Sequence, residues 1–240
     1  MVLERTNTTM FNIIGNGMLA RAFASSILGQ ADAVVYASGV SNSDCVDIAQ
    51  FERERRLLSA SLEDAPVNAW FIYFGTCSVY DPDAQKKAYV RHKLEMEAIV
   101  LSHARGQVIR LPQIAGPQAP PSTLIAYLVA KVRSGEQIQV WQDSVRNIID
   151  VEDVVKIVST LASQRFLDMK VINVANPVSI SVMDLVRTIE SCLHISPRVE
   201  LVKKGCPYDI DISALSGVFE SAGVEFGPNY LVNALKKYYL

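Results

Sequence analysis

"FNIIGNGMLARAF", residues 11–23, is the stretch on which the fold turns. A short apolar run meets two glycines and then residues with helical spacing. Strand, glycine turn and helix, in that order, bring backbone amides close to a phosphate. Gly15, Gly17 and Ala20 form G-x-G-x-x-A. The first glycine of this pattern permits a tight turn and the second lets the backbone approach a pyrophosphate. The small third residue lets the helix pack closely on the strand. Met18 and Leu19 sit inside the same turn. The pattern also fits an ordinary strand-to-helix turn, so its surroundings have to decide.

Downstream, "ADAVVYASG" at 31–39 follows almost at once. Dinucleotide folds place an acid for the ribose hydroxyl about 20 residues beyond the glycines. Asp32 precedes the second apolar run and comes too early for that task.

Composition sets the bounds. A chain of 240 residues, half of them hydrophobic, can bury one large core. A net charge of −2 argues against nucleic acid or an anionic membrane as the main partner, so an anionic ligand must be met by local cations. Cys45, Cys77, Cys192 and Cys206 have no metal-like spacing, and "MVLERTNTTM" lacks the apolar stretch of a signal peptide. No apolar run approaches the roughly 18 residues of a membrane span. The expectation is a cytoplasmic protein with reduced thiols and no metal.

Short apolar runs alternate with helical patterns, which predicts an α/β fold on a parallel sheet. Strands are expected at 11–15, 33–37, 69–75, 107–111 and 171–174, with a short one at 138–141. Helices are expected at 18–28, 45–60, 88–104, 122–134, 151–163, 181–193 and 229–239, with Ser181 as an N-cap. "AGPQAPPSTL" is the clearest loop.

A second constellation lies in "YFGTCSVYDPDAQKKAYVRHK", residues 73–93. Tyr89 and Lys93 are spaced i, i+4, so on a helix they share a face. A cation beside a phenol favours phenolate and suits it to proton transfer. Tyr127 and Lys131 repeat the spacing, but in an apolar helix where core tyrosine and surface lysine explain them. Upstream of Tyr89 a strand ends in Gly75 and Thr76, and such ends open into the ligand crevice of parallel sheets.

With these pieces placed, the chain resembles an extended short-chain dehydrogenase/reductase of the nucleotide-sugar epimerase, dehydratase and ketoreductase group. The stretches that carry the resemblance follow the family's order: "GNGMLA", "AVVYASGVSNS", "YFGTCSVY" with "YVRHK", "VIRLPQIAGP", and "VRNIIDVEDVV" with "VINVANPVSISVMDL". "DIDISAL" resembles the segment before the family's last helix. The resemblance implies a Rossmann-like doubly wound parallel sheet with a small C-terminal substrate-binding subdomain. The whole, 1–240, forms one domain, with the core mainly at 10–112 and 146–176 and the subdomain mainly at 113–145 and 177–240.

By the same resemblance Tyr89 matches the catalytic acid/base. Lys93 matches its partner, which also holds the nicotinamide ribose, and Thr76 matches the hydroxyl on the reacting sugar oxygen. Gly15, Gly17, Met18, Leu19, Ala20 and Ser38 fall in the cofactor region, for NAD or NADP. On the substrate side Arg146 matches an arginine used on the nucleotide diphosphate, a task suited to a guanidinium fork. Gln113 stands where many relatives have Asn, Ser78 lies by the sugar, and Lys203 and Lys204 lie where a basic loop helps with the diphosphate. Each of these cations also has a plain reading as a solvated surface residue. Cys77 and Ser78 replace the Asp and Glu that dehydratases use to expel water, so a 4,6-dehydratase is not expected. His92, His103 and His194 suggest no metal or catalytic dyad, and "ERERR" at 52–56 reads as the wet face of a helix.

One departure from the family stands out. "VVYASG" most resembles the family's fourth strand, which would mean that the second strand, its helix and the third strand are missing. Read instead as a true second strand, it still leaves out one strand and its crossover. In either alignment the ribose acid has no place: either the cofactor binds with a more exposed adenosine, near Arg21, Ser38 or Asn42, or it binds weakly or not at all. The expected function is reduction or epimerisation at a keto or hydroxyl carbon of a nucleotide-diphosphate sugar, in surface polysaccharide or deoxysugar biosynthesis. A homodimer through the Tyr89 helix and its neighbour would be family-like. The rival is a non-catalytic sugar-nucleotide or dinucleotide binding or regulatory protein.

Overall fold

Five parallel strands carry the apolar runs: β1 (Asn12–Ile14), β2 (Ala33–Tyr36), β3 (Trp70–Thr76), β4 (Gly106–Leu111) and β8 (Val171–Asn173), in the order β1-β2-β3-β4-β8. The computed structural model describes residues 12–24, 26, 33–164 and 169–240. Phe11, the end of the helix expected at 18–28, and Asp32 lie outside the described residues. β2 is buried along its whole length and β3 from its second residue on, as a parallel sheet covered on both faces requires.

Strand alternation divides the core in two. Val35, Ile72, Phe74 and Ile109 face one side and pack with α1 (Met18–Ala24) and α5 (Val151–Ser163), where Phe23 lies 5.3 Å from Phe74. Val34, Tyr36, Phe71, Tyr73 and Val108 face the other side and meet Leu58 of α2 (Ile48–Glu63) and Met96 and Val100 of α3 (Ala88–Leu101).

This division fixes the topology of the shortened sheet. The order 3-2-1-4-5-6 of a full doubly wound fold puts the fourth strand beside the first. Here β2 sits between β1 and β3, in the fourth strand's place. A true second strand would lie on the far side of β1, so the first of the two alignments holds, and β1 is the sheet edge among the described residues. The steps β1 to β2, β2 to β3 and β3 to β4 all run the same way across the sheet, yet α1 lies on the face opposite α2 and α3. The packing of Phe23 against α5 and Phe74 holds α1 there.

Beyond the sheet, β5 (Gln113–Ala115) pairs with β7 (Val145–Asp150), which pairs antiparallel with β9 (Ser179–Ser181). β6 (Gln137–Trp141) pairs with β10 (Arg198–Val202). Leu128 and Val132 of α4 (Leu124–Ser134), Leu185 and Ile189 of α6 (Val182–Leu193) and Leu235 of α8 (Tyr230–Tyr238) join Ile138 and Val140 in one apolar cluster. The short α7 (Val218–Ser221) packs by Val218 in the cluster that holds α5.

The helix expected from 45 begins at Ile48, because the Asp47 carboxylate caps it by accepting from the Ala49 amide at 2.9 Å. Ser181 caps α6 as expected, accepting from the Asp184 amide at 3.0 Å. Strands β5, β7, β9 and β10 are not among the expected ones: β5 and β9 have three residues each and β7, VRNIID, does not alternate, whereas β10, RVELV, carries a short polar–apolar alternation.

Candidate active site

A cleft of about 1120 Å³ opens at the carboxyl ends of the central strands, and most of the expected site residues converge on it. The glycine turn forms one wall. Gly15 has φ +135°, and a Cβ there would stand 2.4 Å from the Ala37 carbonyl oxygen, so the turn and the end of β2 approach as only glycine allows. The Ala37 amide donates to the Ile14 carbonyl at 2.7 Å and closes that approach. Gly17 differs: nothing lies within 4 Å of where its Cβ would be, and it lines the cleft with Met18 and Leu19. Ala20, 2% exposed, faces the core as the helix-packing residue.

The opposite wall carries Thr76, Tyr89 and Lys93. Thr76 ends β3, and its hydroxyl oxygen accepts from the Ser78 amide at 3.1 Å. Tyr89 sits in the first turn of α3. Burial pushes its phenol up to about 12, with the Thr76 hydroxyl pulling down and the charges of Glu54 and Glu97 pushing up. Lys93 is 3% exposed. Its ammonium donates to Glu54 Oε1 at 3.3 Å and stands 4.4 Å from the Tyr73 ring centroid. The i, i+4 spacing leads one to expect the ammonium beside the phenol, but its partner in this state is the carboxylate of α2.

Within "ERERR", Glu52, Arg53 and Arg56 are exposed as a wet helix face requires, but Glu54 has no exposed surface and departs from that reading. Its carboxylate accepts from the Val40 amide at 2.6 Å and the Tyr73 hydroxyl at 2.8 Å, and His92 Nε2 lies 3.0 Å away. A carboxylate can only accept, so Nε2 carries a proton. His92, read from the sequence as suggesting no metal or catalytic dyad, is part of this network and stacks on Phe51 with ring centroids 4.4 Å apart. Burial pushes the Glu54 carboxyl up, but His92, Lys93, Val40 and Tyr73 together outweigh it and bring it down to about 2. For Lys93 burial dominates and lowers its pKa, with Glu54 opposing. Gly39 makes this pair possible: a Cβ there would meet Glu54 Oε1 at 2.7 Å and Lys93 Nζ at 2.9 Å.

Ser78, Gln113 and Arg146 also line the cleft, joined by Tyr208, which the sequence reading missed. Arg146 Nη1 donates to the Val145 carbonyl at 2.6 Å and lies 3.7 Å from Asp81 Oδ2. Lys204 is not among the lining residues; its ammonium stands 5.6 Å from the Trp141 ring centroid. Neither Ser38 nor Gly15 lines the cleft: the Ser38 carbonyl accepts from Arg53, and Gly15 acts through the shape of the turn. Arg21 and Asn42 do line it, and the Arg21 guanidinium donates to the Gln118 side chain across the opening. Tyr127, read as core, is 41% exposed at the cleft rim, and Lys131 pairs with Glu136. Cys77 is buried, and burial pushes its thiol up to about 12. Among the described residues no group of His, Cys, Asp or Glu is placed to hold a metal, and no helix is long and apolar enough to cross a membrane.

Residues 10–175 match the model of the NAD dependent epimerase/dehydratase family. No curated protein matches the chain. Among solved structures, a dTDP-glucose 4,6-dehydratase from Bacillus anthracis in complex with NAD is similar at 16% identity and TM-score 0.69, over 88% of this chain and 73% of that one. RMD from Pseudomonas aeruginosa, complexed with NADPH, is similar at 16% identity and TM-score 0.69, over 95% of this chain and 97% of that one. A dTDP-4-dehydrorhamnose reductase from Clostridium acetobutylicum gives 15% identity and TM-score 0.69, over 95% and 97%. At such identities the likeness is one of fold.

Proposed function

The chain belongs to the NAD dependent epimerase/dehydratase family, and from that premise we propose that it reduces or epimerises a nucleotide-diphosphate sugar at a keto or hydroxyl carbon, using NAD or NADP. The observation that carries this reading is the convergence of Gly17, Thr76, Tyr89, Lys93 and Arg146 on one cleft. The solved structures of similar fold include proteins holding NAD, NADPH or UDP-glucose with NAD, which supports the same ligand classes here.

The residues present fit the nicotinamide and pyrophosphate parts of a dinucleotide. The open face of Gly17 leaves room for a phosphate against the backbone. Lys93 donates one N–H to Glu54, and an ammonium has three, so two are available for ribose hydroxyls. The adenosine end has Arg21 and Asn42 on the cleft wall and no described strand beyond β1.

When bound, the nicotinamide accepts or supplies a hydride at the sugar carbon. Tyr89 takes or returns the hydroxyl proton of that carbon, and Thr76 donates a hydrogen bond to the same oxygen. Lys93 supplies positive charge at the same cleft wall. Arg146 binds the diphosphate. With Cys77 and Ser78 where water elimination needs acids, the site lacks the groups for a dehydratase.

Thermal-shift titration with NAD, NADP, UDP-sugars and dTDP-sugars tests the reading. A ligand at 100 times its dissociation constant stabilises by about 2.7 kcal/mol. Stabilisation by a dinucleotide and by a sugar nucleotide is expected. Stabilisation by sugar nucleotides alone would instead favour the binding-protein reading, which the missing strand pair beside β1 motivates.

A further inference from the structure

We infer that Glu54 is the positioning residue of this site: its sealed carboxylate keeps Lys93 charged and tethered at the cleft wall. The inference rests on the reading that Lys93 serves the chemistry.

The argument begins with cost. An isolated ammonium moved into a protein interior gives up its proton rather than its hydration, and buried lysines titrate several units below their ordinary value. Lys93 is 3% exposed, so a site that needs its charge must supply a counter-charge. The titratable groups around it are Glu54 of α2, Tyr73 of β3, Tyr89, His92 and Glu97 of α3 and, behind Glu54, Tyr36 of β2. Glu97 is committed to Arg110, whose guanidinium donates to it at 2.6 Å and 3.1 Å. Glu54 is the acid that touches Lys93.

Three further donors converge on Glu54: a loop amide, a strand tyrosine and a helix histidine. Together with Lys93 they hold the acid ionised, and they fix where its charge stands. A buried ion pair contributes little to stability once desolvation is counted, so its presence here is better explained by what it does to Lys93. Gly39 adds an independent sign, since its missing side chain is the space in which carboxylate and ammonium meet.

The experiment has three arms. In the unmodified protein, a proton–nitrogen correlation of lysine side chains reports the charge of Lys93 directly. A protonated ammonium at about pH 7 and still at about pH 9 is expected, and a neutral amine at about pH 7 overturns the inference. Next, NADH and NADPH binding is followed by fluorescence against pH for wild type, Glu54→Gln and Glu54→Asp, each first shown to unfold cooperatively. Glu54→Gln should lose affinity as pH rises, the fall beginning at least about one pH unit lower than in wild type, so that about tenfold is lost at alkaline pH. Glu54→Asp keeps the charge and should follow the wild-type pH course. An equal, pH-independent loss in both variants, or none in either, overturns the inference. Gly39→Ala gives the same test with the charge retained, should Glu54→Gln not fold; there the alkaline loss should reappear. The third arm is Lys93→Met. If it binds and turns over like wild type, the catalytic reading of Lys93 fails; if neither dinucleotide binds wild type, the cofactor reading fails, and the spectroscopic arm still decides the charge of Lys93.

Discussion

Arg146 Nη1 lies 3.7 Å from Asp81 Oδ2, at the end of the cleft where a diphosphate would bind. Asp81 is 7% exposed and anchored, its Oδ1 accepting from the Asp83 amide at 2.9 Å. A diphosphate drawn to Arg146 therefore meets a fixed negative charge. At an effective dielectric near 20 two unit charges a few ångströms apart interact by about 4 kcal/mol, of which solvent in an open cleft leaves a fraction. Asp81→Asn should tighten binding of a nucleoside diphosphate several-fold by calorimetry, and Arg146→Ala should weaken it by more than tenfold. If both weaken it alike, Asp81 serves to aim Arg146 and does not compete with the ligand.

Tyr89→Phe removes one buried hydroxyl and little else. General acid–base groups contribute about 10²–10⁴ to rate, so kcat should fall by that order on a responsive sugar nucleotide. Dinucleotide affinity should change little, because Lys93 and the glycine turn are left intact. Unchanged turnover would remove Tyr89 from the mechanism.

Much of this arrangement is legible in the sequence, because its signals are local. The glycine turn, the Thr76 strand end, the Tyr89 and Lys93 pair and the Ser181 cap are each set by neighbours within a few residues. The missing strand pair is legible too, as a length too short for a βαβ unit. Glu54 is not legible. Its run of charges has the look of solvated helix, and only the fold brings it against Lys93 and His92, 39 and 38 residues away. Tyr208 escapes for the same reason, since the fold brings it to the cleft from far along the chain, and so does the approach of Asp81 to Arg146, 65 positions apart. The face on which α1 packs has no local signature either, because it follows from the contacts of Phe23 with α5 and Phe74.

Two glycines of one motif should respond in opposite ways. Gly15→Ala forces a side chain onto a backbone at φ +135° and to within 2.4 Å of the Ala37 oxygen, so it should destabilise the fold by several kcal/mol. Gly17→Ala places a methyl group in open space, so the melting temperature should hold within a few degrees. That methyl would occupy the approach to the pyrophosphate, and NADH affinity should fall by at least about tenfold. Calorimetric melting together with fluorescence titration separates the two, and a Gly17→Ala protein that binds NADH normally would move the phosphate site away from this turn.

Acid stability should carry the mark of Glu54. Its carboxyl sits at about 2 in the fold against an ordinary 4.5, because burial is outweighed by His92, Lys93, Val40 and Tyr73. A depressed carboxyl stabilises the fold fully above its unfolded value, and the contribution is lost as pH falls from about 4.5 toward 2. The size is on the order of 3 kcal/mol at 1.36 kcal/mol per pKa unit. Glu54→Gln removes that charge at every pH and leaves Lys93 buried without its counter-ion, a change that typically costs about 3–5 kcal/mol. Urea unfolding of the two proteins should therefore show a gap that is constant between about pH 5 and about pH 7 and narrows below that range as the wild-type carboxyl takes up its proton. A gap that stays constant down to about pH 2.5 would mean that the buried carboxyl is not the group that titrates.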